Sequence, residues 1–364
     1  MTEDVLCTVS GGVGLITLNR PKALNALTLD MIRVIDPQLR AWAADPAVHA
    51  VVIRGAGDRA FCAGGDVRAV WDAGRAMQAG AVEGLTRAFF FEEYRLNRRI
   101  KTFPKPYIAL IDGITMGGGV GLSVHGSHRV TTEKTLFAMP ETGIGLIPDV
   151  GGTYFLPRLP GHMGRYLGLT GARLQAGDLH YLGLATAHVP ADRLDALVAD
   201  LTAADWAAAA DPHKRASDLI ATHEVAVDPP TLPALRGMID RCFAHDTVEA
   251  VLEDLETMGL EAEGSGIALA TARIIRTMSP TSLKLTLEQL RRGAELTFDD
   301  AMKLEFAVVQ RIMRGHDFYE GIRAVLVDKD RSPKWQPADM DGVGAADVLA
   351  HFAPPADGGL HFED

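Results

Sequence analysis

Through the first half of the chain, apolar positions switch repeatedly between short continuous runs and a helical spacing. Residues 5–9 and 15–18 flank Ser10-Gly11-Gly12-Val13-Gly14 and read as a β-hairpin. Over residues 28–43, Met31, Ile32, Ile35, Leu39 and Trp42 keep helical spacing, with Pro37 as a kink or break. Residues 50–53 then read as a buried strand, followed by the turn Gly55-Ala56-Gly57-Asp58 and the short run Ala60-Phe61-Cys62. A helix is predicted near residues 84–100 and an apolar strand over residues 107–111. Alternation of this kind predicts an α/β core.

Beyond about Pro190 the spacing becomes helical throughout. Asp246-Thr247-Val248-Glu249 reads as a cap before Val251, Leu252 and Leu255. Ser279-Pro280 places a capping residue before proline at the first helical position, opening a helix with Leu283, Leu287 and Leu290. Residues 296–313 repeat the spacing and end near Gly315. Asp228-Pro229-Pro230 reads as a linker, and the tail beyond Pro337, with Pro354-Pro355 and Gly358-Gly359, is expected to fray. No repeat of solenoid period is seen.

Composition narrows the function classes. A chain of 364 residues fits one large domain or two ordinary ones, and 47% hydrophobic with 23% charged residues excludes global disorder. A net charge of -11 argues against nonspecific nucleic-acid or anionic-membrane binding, while leaving room for a local basic patch facing an anionic ligand. Cys7, Cys62 and Cys242 are too few and too scattered for a disulfide framework or a cysteine-rich metal site. The 12 histidines show no HExxH spacing, so no metal is expected. The opening Met1-Thr2-Glu3-Asp4 lacks the features of a signal peptide. The window 106–124 carries Asp112 and several glycines, which reads as strand, loop and helix rather than a membrane span. The expected location is the cytoplasm, or a compartment's matrix after removal of a targeting segment.

Three segments could carry chemistry. Two glycine-rich sites follow short strands: Ala63-Gly64-Gly65-Asp66 and Gly117-Gly118-Gly119-Val120-Gly121. Neither fits GxGxxG or a P-loop. Residues without a Cβ let backbone N–H groups approach a ligand oxygen, and two such groups form an oxyanion hole. Tight turns against the core explain the same glycines equally well. The third segment, residues 138–152, embeds Glu141 and Asp149 in apolar surroundings punctuated by glycine and proline. Lost hydration raises the pKa of such acids and suits them to acid–base or nucleophilic work. The plainer alternatives are a loop or helix-terminal carboxylate for Glu141 and a helix cap for Asp149. Asp66 is expected to cap the helix after Gly65, and Glu92 and Glu93 to lie on an exposed face. Ser123 and His125, two residues apart on one helix, cannot make a catalytic pair and read as core.

In this order, Leu18-Asn19-Arg20-Pro21, residues 61–66, Gly117-Gly118-Gly119, Met139-Pro140-Glu141 and Gly151-Gly152-Thr153 resemble the crotonase (enoyl-CoA hydratase/isomerase) superfamily. FFFEEYRLN (89–97), FAMPETGIGLIPDVGGTYFLPRL (137–159), SPTSLKLTLEQL (279–290) and MRGHDFYEGIRAVLVDKDRSPKWQPAD (313–339) are most similar to its 3-hydroxyisobutyryl-CoA hydrolase branch. The resemblance implies a spiral of ββα units with an extended helical C-terminal region, divided as residues 1–208, 209–340 and a tail at 341–364. It implies an acyl-CoA thioester as substrate and no separate cofactor. Gly65 and Gly118 would donate N–H groups to the thioester oxygen, with Glu141 and Asp149 as the catalytic acids. Glu93, Gly118, Glu141 and Asp149 would line the substrate. CoA would lie along Lys22, Ala23 and Leu24 and along Ala63, Gly65 and Asp66. Lys329 and Lys334 would face its phosphates or form a solvated charged turn. Family hydratases carry a further glutamate at the position of Gly121, so the resemblance implies a hydrolase rather than an efficient hydratase. Homo-oligomers are common in the superfamily.

Overall fold

The polar link between the first two apolar runs closes as a hairpin, in which β1 (Val5–Ser10) pairs antiparallel with β2 (Val13–Leu18). Every later strand in that sheet is parallel: β3 (Ala50–Gly55), β5 (Tyr107–Ile111), β7 (His128–Thr131) and β9 (Ala187–His188), in the order β1-β2-β3-β5-β7-β9. The intervening short strands β4 (Ala60–Cys62), β6 (Ile114–Met116) and β8 (Leu136–Ala138) form a second, three-stranded parallel sheet. The chain therefore runs one strand into each sheet, leaves through a helical segment, and repeats one step further along. This is the expected α/β pattern of ββα units. The computed structural model describes residues 3–78, 84–261, 266–355 and 358–362.

By contacts, the chain divides into two compact units interleaved along the sequence, a division distinct from three consecutive segments. The first comprises Met1–Asp66, Arg95–Ala138 and Arg173–Thr231. The second comprises Val67–Tyr94, Met139–Ala172 and Leu232–Asp364. The linker expected at Asp228-Pro229-Pro230 falls just before the last boundary.

In the first unit the central strands β3 and β5 are buried on both faces over residues 50–53 and 107–111, which is why they read as unbroken apolar runs, whereas β1 at the sheet edge is largely exposed. Val13, Val52, Ile108, Leu110 and Val130 pack against Leu194, Leu197, Leu201 and Ile220 of two helices. Helix α1 (Leu29–Ala44) buries Met31, Ile32, Ile35, Leu39 and Trp42, and the Thr28 side chain accepts from the Met31 amide at its start. The helix runs unbroken through Pro37. The proline lies on the exposed face, where the carbonyl that loses its N–H partner can meet water.

The second unit is helical. Helix α2 (Val67–Gln78) and the Leu85–Tyr94 part of α3 (Leu85–Lys101) belong to it. So do the Pro280–Gly293 helix, capped as Ser279-Pro280 implies, and the Phe298–Ile312 helix, capped by Thr297. Ser279 Oγ accepts from the Ser282 amide, and Thr297 Oγ1 from Asp300. The tail does not fray over its described residues. It forms a further helix, Ala345–His351, and Leu360 is buried, while Gly358 O accepts from Arg87 and His361 meets the Phe91 ring edge-on. Burial of Leu360, the edge-on ring contact and the Arg87 hydrogen bond outweigh the proline and glycine signals. Met1-Thr2 and residues 356–357 and 363–364 of the tail lie outside the described residues.

Candidate active site

Parallel register brings the two glycine-rich segments side by side. Cys62 at the end of β4 pairs with Thr115 of β6, and each strand reaches its candidate donor three residues later, at Gly65 and Gly118. Gly118 opens helix α4 (Gly118–Ser123), where a first-turn amide has no partner within the helix. Gly65 lies in a bridge to Leu27. Gly64 O and the Asp66 N–H both bond Leu27, so the Gly65 amide points away from that pairing. Close packing explains Gly119: a Cβ there would stand 2.1 Å from Cys62 O. Ser123 bonds back to Gly119 O at 2.8 Å, a helix-internal contact, and both Ser123 and His125 are buried as expected.

The residues expected along CoA also converge within the first unit. Lys22 and Ala23 lie in the short 3-10 turn Pro21–Ala23, and Leu24 O accepts from the Ala63 amide at 3.0 Å. Leu24 and Asn25 hold left-handed conformations, at φ of 51° and 56°. Asn25 makes this tolerable. Its side chain is buried, accepts from the Arg20 amide at 2.9 Å, and donates to Ala56 O and Ala60 O at 2.9 and 2.8 Å. Sequence reasoning passed over Asn25. Asp66 precedes α2, and its carboxylate pairs with Arg20 at 3.1 Å.

The acids gather in the second unit. Glu141 opens the 3-10 turn Glu141–Ile144, so the helix-terminal description holds, but the side chain is only 4% exposed. The Ser279 amide donates to Thr142 O and ties this turn to the head of the Pro280–Gly293 helix. Asp149 does not cap α5 (Gly152–Phe155), whose cap is Gly151. Its carboxylate instead accepts from Tyr94 Oη at 2.7 Å, and it too is buried. Glu93 corrects the expectation of an exposed face: it is 2% exposed, because it shares the buried stripe of α3 with Phe90 and Tyr94.

A fourth acid, Glu305, was not among the sequence candidates. It lies fully buried on the Phe298–Ile312 helix and accepts from the Gly151 and Thr153 amides at 2.9 and 2.8 Å. The signal was present in the spacing. Ala301, Glu305, Val308 and Ile312 form one apolar stripe interrupted by a single charge.

These carboxylates cannot all ionise together. Burial, followed by the charges of Asp149 and Glu305, pushes Glu93 well above the ordinary glutamate range. Burial and then Asp149 do the same to Glu141. Burial raises Asp149 to about 6, with the Tyr94 hydrogen bond pulling the other way. Glu305 is pushed up to about 8 by burial and by Asp149. Glu93 Oε1 and Glu141 Oε2 are buried without a hydrogen-bond partner among the described residues. An orphaned acceptor costs about 1–3 kcal/mol, so each of these oxygens has room in its bonding for a hydrogen bond from a ligand or a water.

Lys329 and Lys334 are exposed, Lys329 with φ of 60°. No helix of the described residues is long and apolar enough to cross a membrane.

Comparison with known proteins extends these local patterns over the chain. The family model described as enoyl-CoA hydratase/isomerase matches residues 13–352. A zebrafish (Danio rerio) protein named 3-hydroxyisobutyryl-CoA hydrolase, mitochondrial, is 51% identical over 347 residues, covering 94% of this chain and 87% of its own. The human protein of the same name is 49% identical over 366 residues, covering 99% and 91%. A crystal structure titled as a carnitinyl-CoA dehydratase from Mycobacterium thermoresistibile superposes with a TM-score of 0.89 at 43% identity, covering 100% of this chain and 99% of that one. Paired strand ends carrying the two glycines, buried acids on the loop after β8, and a match running through both halves of the sequence lead to one assignment: the chain belongs to the enoyl-CoA hydratase/isomerase family, the crotonase superfamily.

Proposed function

We propose that the protein hydrolyses a short 3-hydroxyacyl-CoA thioester, 3-hydroxyisobutyryl-CoA of valine breakdown in the first place, to the free acid and CoA. The observation that carries this reading is the pairing of Glu141, buried with an unpartnered oxygen, with Asp149, held by Tyr94. The curated relatives named for this hydrolysis, at about half identity over nearly the whole chain, support it.

In the reaction, the Gly65 and Gly118 amides polarise the thioester carbonyl and stabilise the tetrahedral oxyanion. One such donor is worth about 3–4 kcal/mol of transition-state stabilisation. Glu141 acts on the acyl carbon, either by attacking it to form a mixed anhydride that water then opens, or by taking a proton from the attacking water. The C–S bond breaks, and Asp149, titrating near neutrality, orients the 3-hydroxyl and the water and helps deliver a proton to the departing thiolate. Glu93 orients the hydroxyl or Asp149. CoA lies along Lys22, Ala23, Leu24, Ala63 and Asp66. The amides supply the electrophile, so the reading includes no metal or cofactor, and activity should survive EDTA.

The dehydratase title of the similar structure favours a second reading, hydration or dehydration with a single glutamate. Gly121, buried inside α4, offers no side chain where family hydratases place their second acid. We place the protein in the cytoplasm, although the named relatives are mitochondrial, and leave a homo-oligomer and a monomer as the two alternatives for its assembly. Cell fractionation and light scattering check these two points. The direct test of the reaction is Glu141→Gln, which should lose thiol release from 3-hydroxyisobutyryl-CoA while still binding CoA. Full retained activity refutes the assignment.

A further inference from the structure

Glu305 has no task in that reaction, yet nothing in the core calls for a carboxylate at its position. An apolar side chain would continue the stripe of Ala301, Val308 and Ile312, whereas a buried acid costs free energy unless its oxygens are bound. Both oxygens are bound, and to one turn: Oε2 accepts from the Gly151 N–H at 2.9 Å and Oε1 from the Thr153 N–H at 2.8 Å. That turn follows Asp149 directly and is difficult to hold. Val150 has φ of 49° and Gly151 of 93°, and a β-branched residue is strained in the left-handed region. The other side of the turn is fixed by Gln289, which donates to Pro148 O at 2.6 Å and to Thr153 Oγ1 at 2.7 Å.

We propose that Glu305 is a positioning residue for Asp149: by accepting from the Gly151 and Thr153 amides together, it clamps the strained turn that presents the Asp149 carboxylate to Tyr94. The role rests on the reading of Asp149 as part of the thioester-hydrolysis site. The ionisable groups facing Glu305 are Asp149 itself, Glu93 and Tyr94 on α3, and Glu141. Below pH about 8 Glu305 is largely protonated, so a neutral replacement changes the clamp more than the charge. Loosening the turn weakens the Tyr94 hydrogen bond, which is what holds Asp149 down towards about 6.

Glu305→Gln presents one oxygen and one NH2, and so cannot accept from both amides. It should lower kcat ~10–100-fold, with KM within about threefold, because the acid is misplaced while CoA binding is untouched. The pH limb belonging to Asp149 should move upward by about half a unit or more as the Tyr94 bond weakens. Glu305→Asp keeps both acceptors on a shorter arm and should recover part of the lost kcat. Lys303→Ala, on the exposed face of the same helix, should leave all three readouts unchanged. A folded Glu305→Gln protein with wild-type kcat overturns the proposal, as does a lower kcat with the Asp149 limb unmoved, which is the mark of a merely structural residue. If Glu305→Gln does not fold, Glu305→Asp decides through the Asp149 limb: a smaller upward shift of that limb supports the clamp, and an unmoved limb overturns it. If the wild-type protein releases no thiol, the hydrolase reading has failed. An infrared titration of the free protein, with Asp149→Asn identifying the carboxyl band, then still tests the clamp through the same upward shift.

Discussion

The glycine-lined strand ends of the first unit and the acid cluster of the second are built from opposite materials. One offers backbone N–H groups, whose placement depends on strand register and on side chains that are absent. The other offers side-chain carboxylates, whose chemistry depends on burial and on a few hydrogen bonds. A backbone donor is hard to remove but easy to displace, since a single methyl group at a packed glycine moves it. A buried carboxylate is easy to remove by substitution but costs the fold free energy to keep. The first region is therefore expected to fail through geometry, and the second through protonation.

The sharpest break should come at Asp149. Asp149→Asn keeps the shape and removes the titrating group, and should lower thiol release by ~10²–10⁴-fold with CoA binding retained. Steady-state kinetics with a separate CoA-binding measurement checks this. Next comes Gly119→Ala, whose methyl group would meet Cys62 O at 2.1 Å and push the head of α4, with the Gly118 amide, off its position. A loss of ~10²–10³-fold in kcat is expected, close to the cost of one oxyanion donor, with the carboxylate pH limb unmoved. Tyr94→Phe should cost less, ~10-fold, and differ in kind. Removing the hydroxyl that donates to Asp149 raises that acid above about 6, so the pH limb moves upward.

Stability should show the same contrast. Asp149 and Glu305 have folded-state pKa values of about 6 and about 8, above their ordinary 3.8 and 4.5. The folded state therefore holds protons more tightly than the unfolded one. The stabilisation is complete below the ordinary values and is lost as pH rises through the folded ones. The free energy of unfolding should fall by an amount on the order of a few kcal/mol as pH rises from about 4 through about 8, with the melting temperature following it down, and Glu305→Gln should flatten the upper part of that slope. Gly119→Ala should lower the curve without changing its shape. The smallest effect is expected at the surface. Lys329→Ala or Lys334→Ala should raise KM for acyl-CoA by at most a few-fold at low salt and less at high salt, since exposed charges are screened.

The two regions also differed in how openly the sequence displays them. The sheet was legible because a strand buried on both faces reads as an uninterrupted apolar run, and residues 107–111 coincide with β5. Ser279-Pro280 marked its helix start to the residue, because capping is local chemistry. Glu141 and Asp149 stood out as acids among glycine, proline and apolar residues. Glu305 did not, since a lone carboxylate in a long helix ordinarily faces water, and only the turn at Gly151 explains its burial. Asn25 was hidden for a similar reason: its partners Ala56 and Ala60 are distant in sequence. Glu93 was assigned to the surface because two adjacent glutamates suggest solvent, although its distance from Phe90 and Tyr94 puts it on their stripe. The interleaving of the two units depends on contacts between remote segments, which no local pattern carries.

The central claim is that the protein breaks a thioester rather than hydrates a double bond. One preparation of the wild-type protein, followed simultaneously for free thiol and for loss of the enoyl chromophore, decides it with 3-hydroxyisobutyryl-CoA and crotonyl-CoA as substrates. Rapid thiol release from the hydroxyacyl-CoA, with crotonyl-CoA left essentially unhydrated, is the predicted result. Hydration of crotonyl-CoA with no thiol appearing from either substrate would contradict the account.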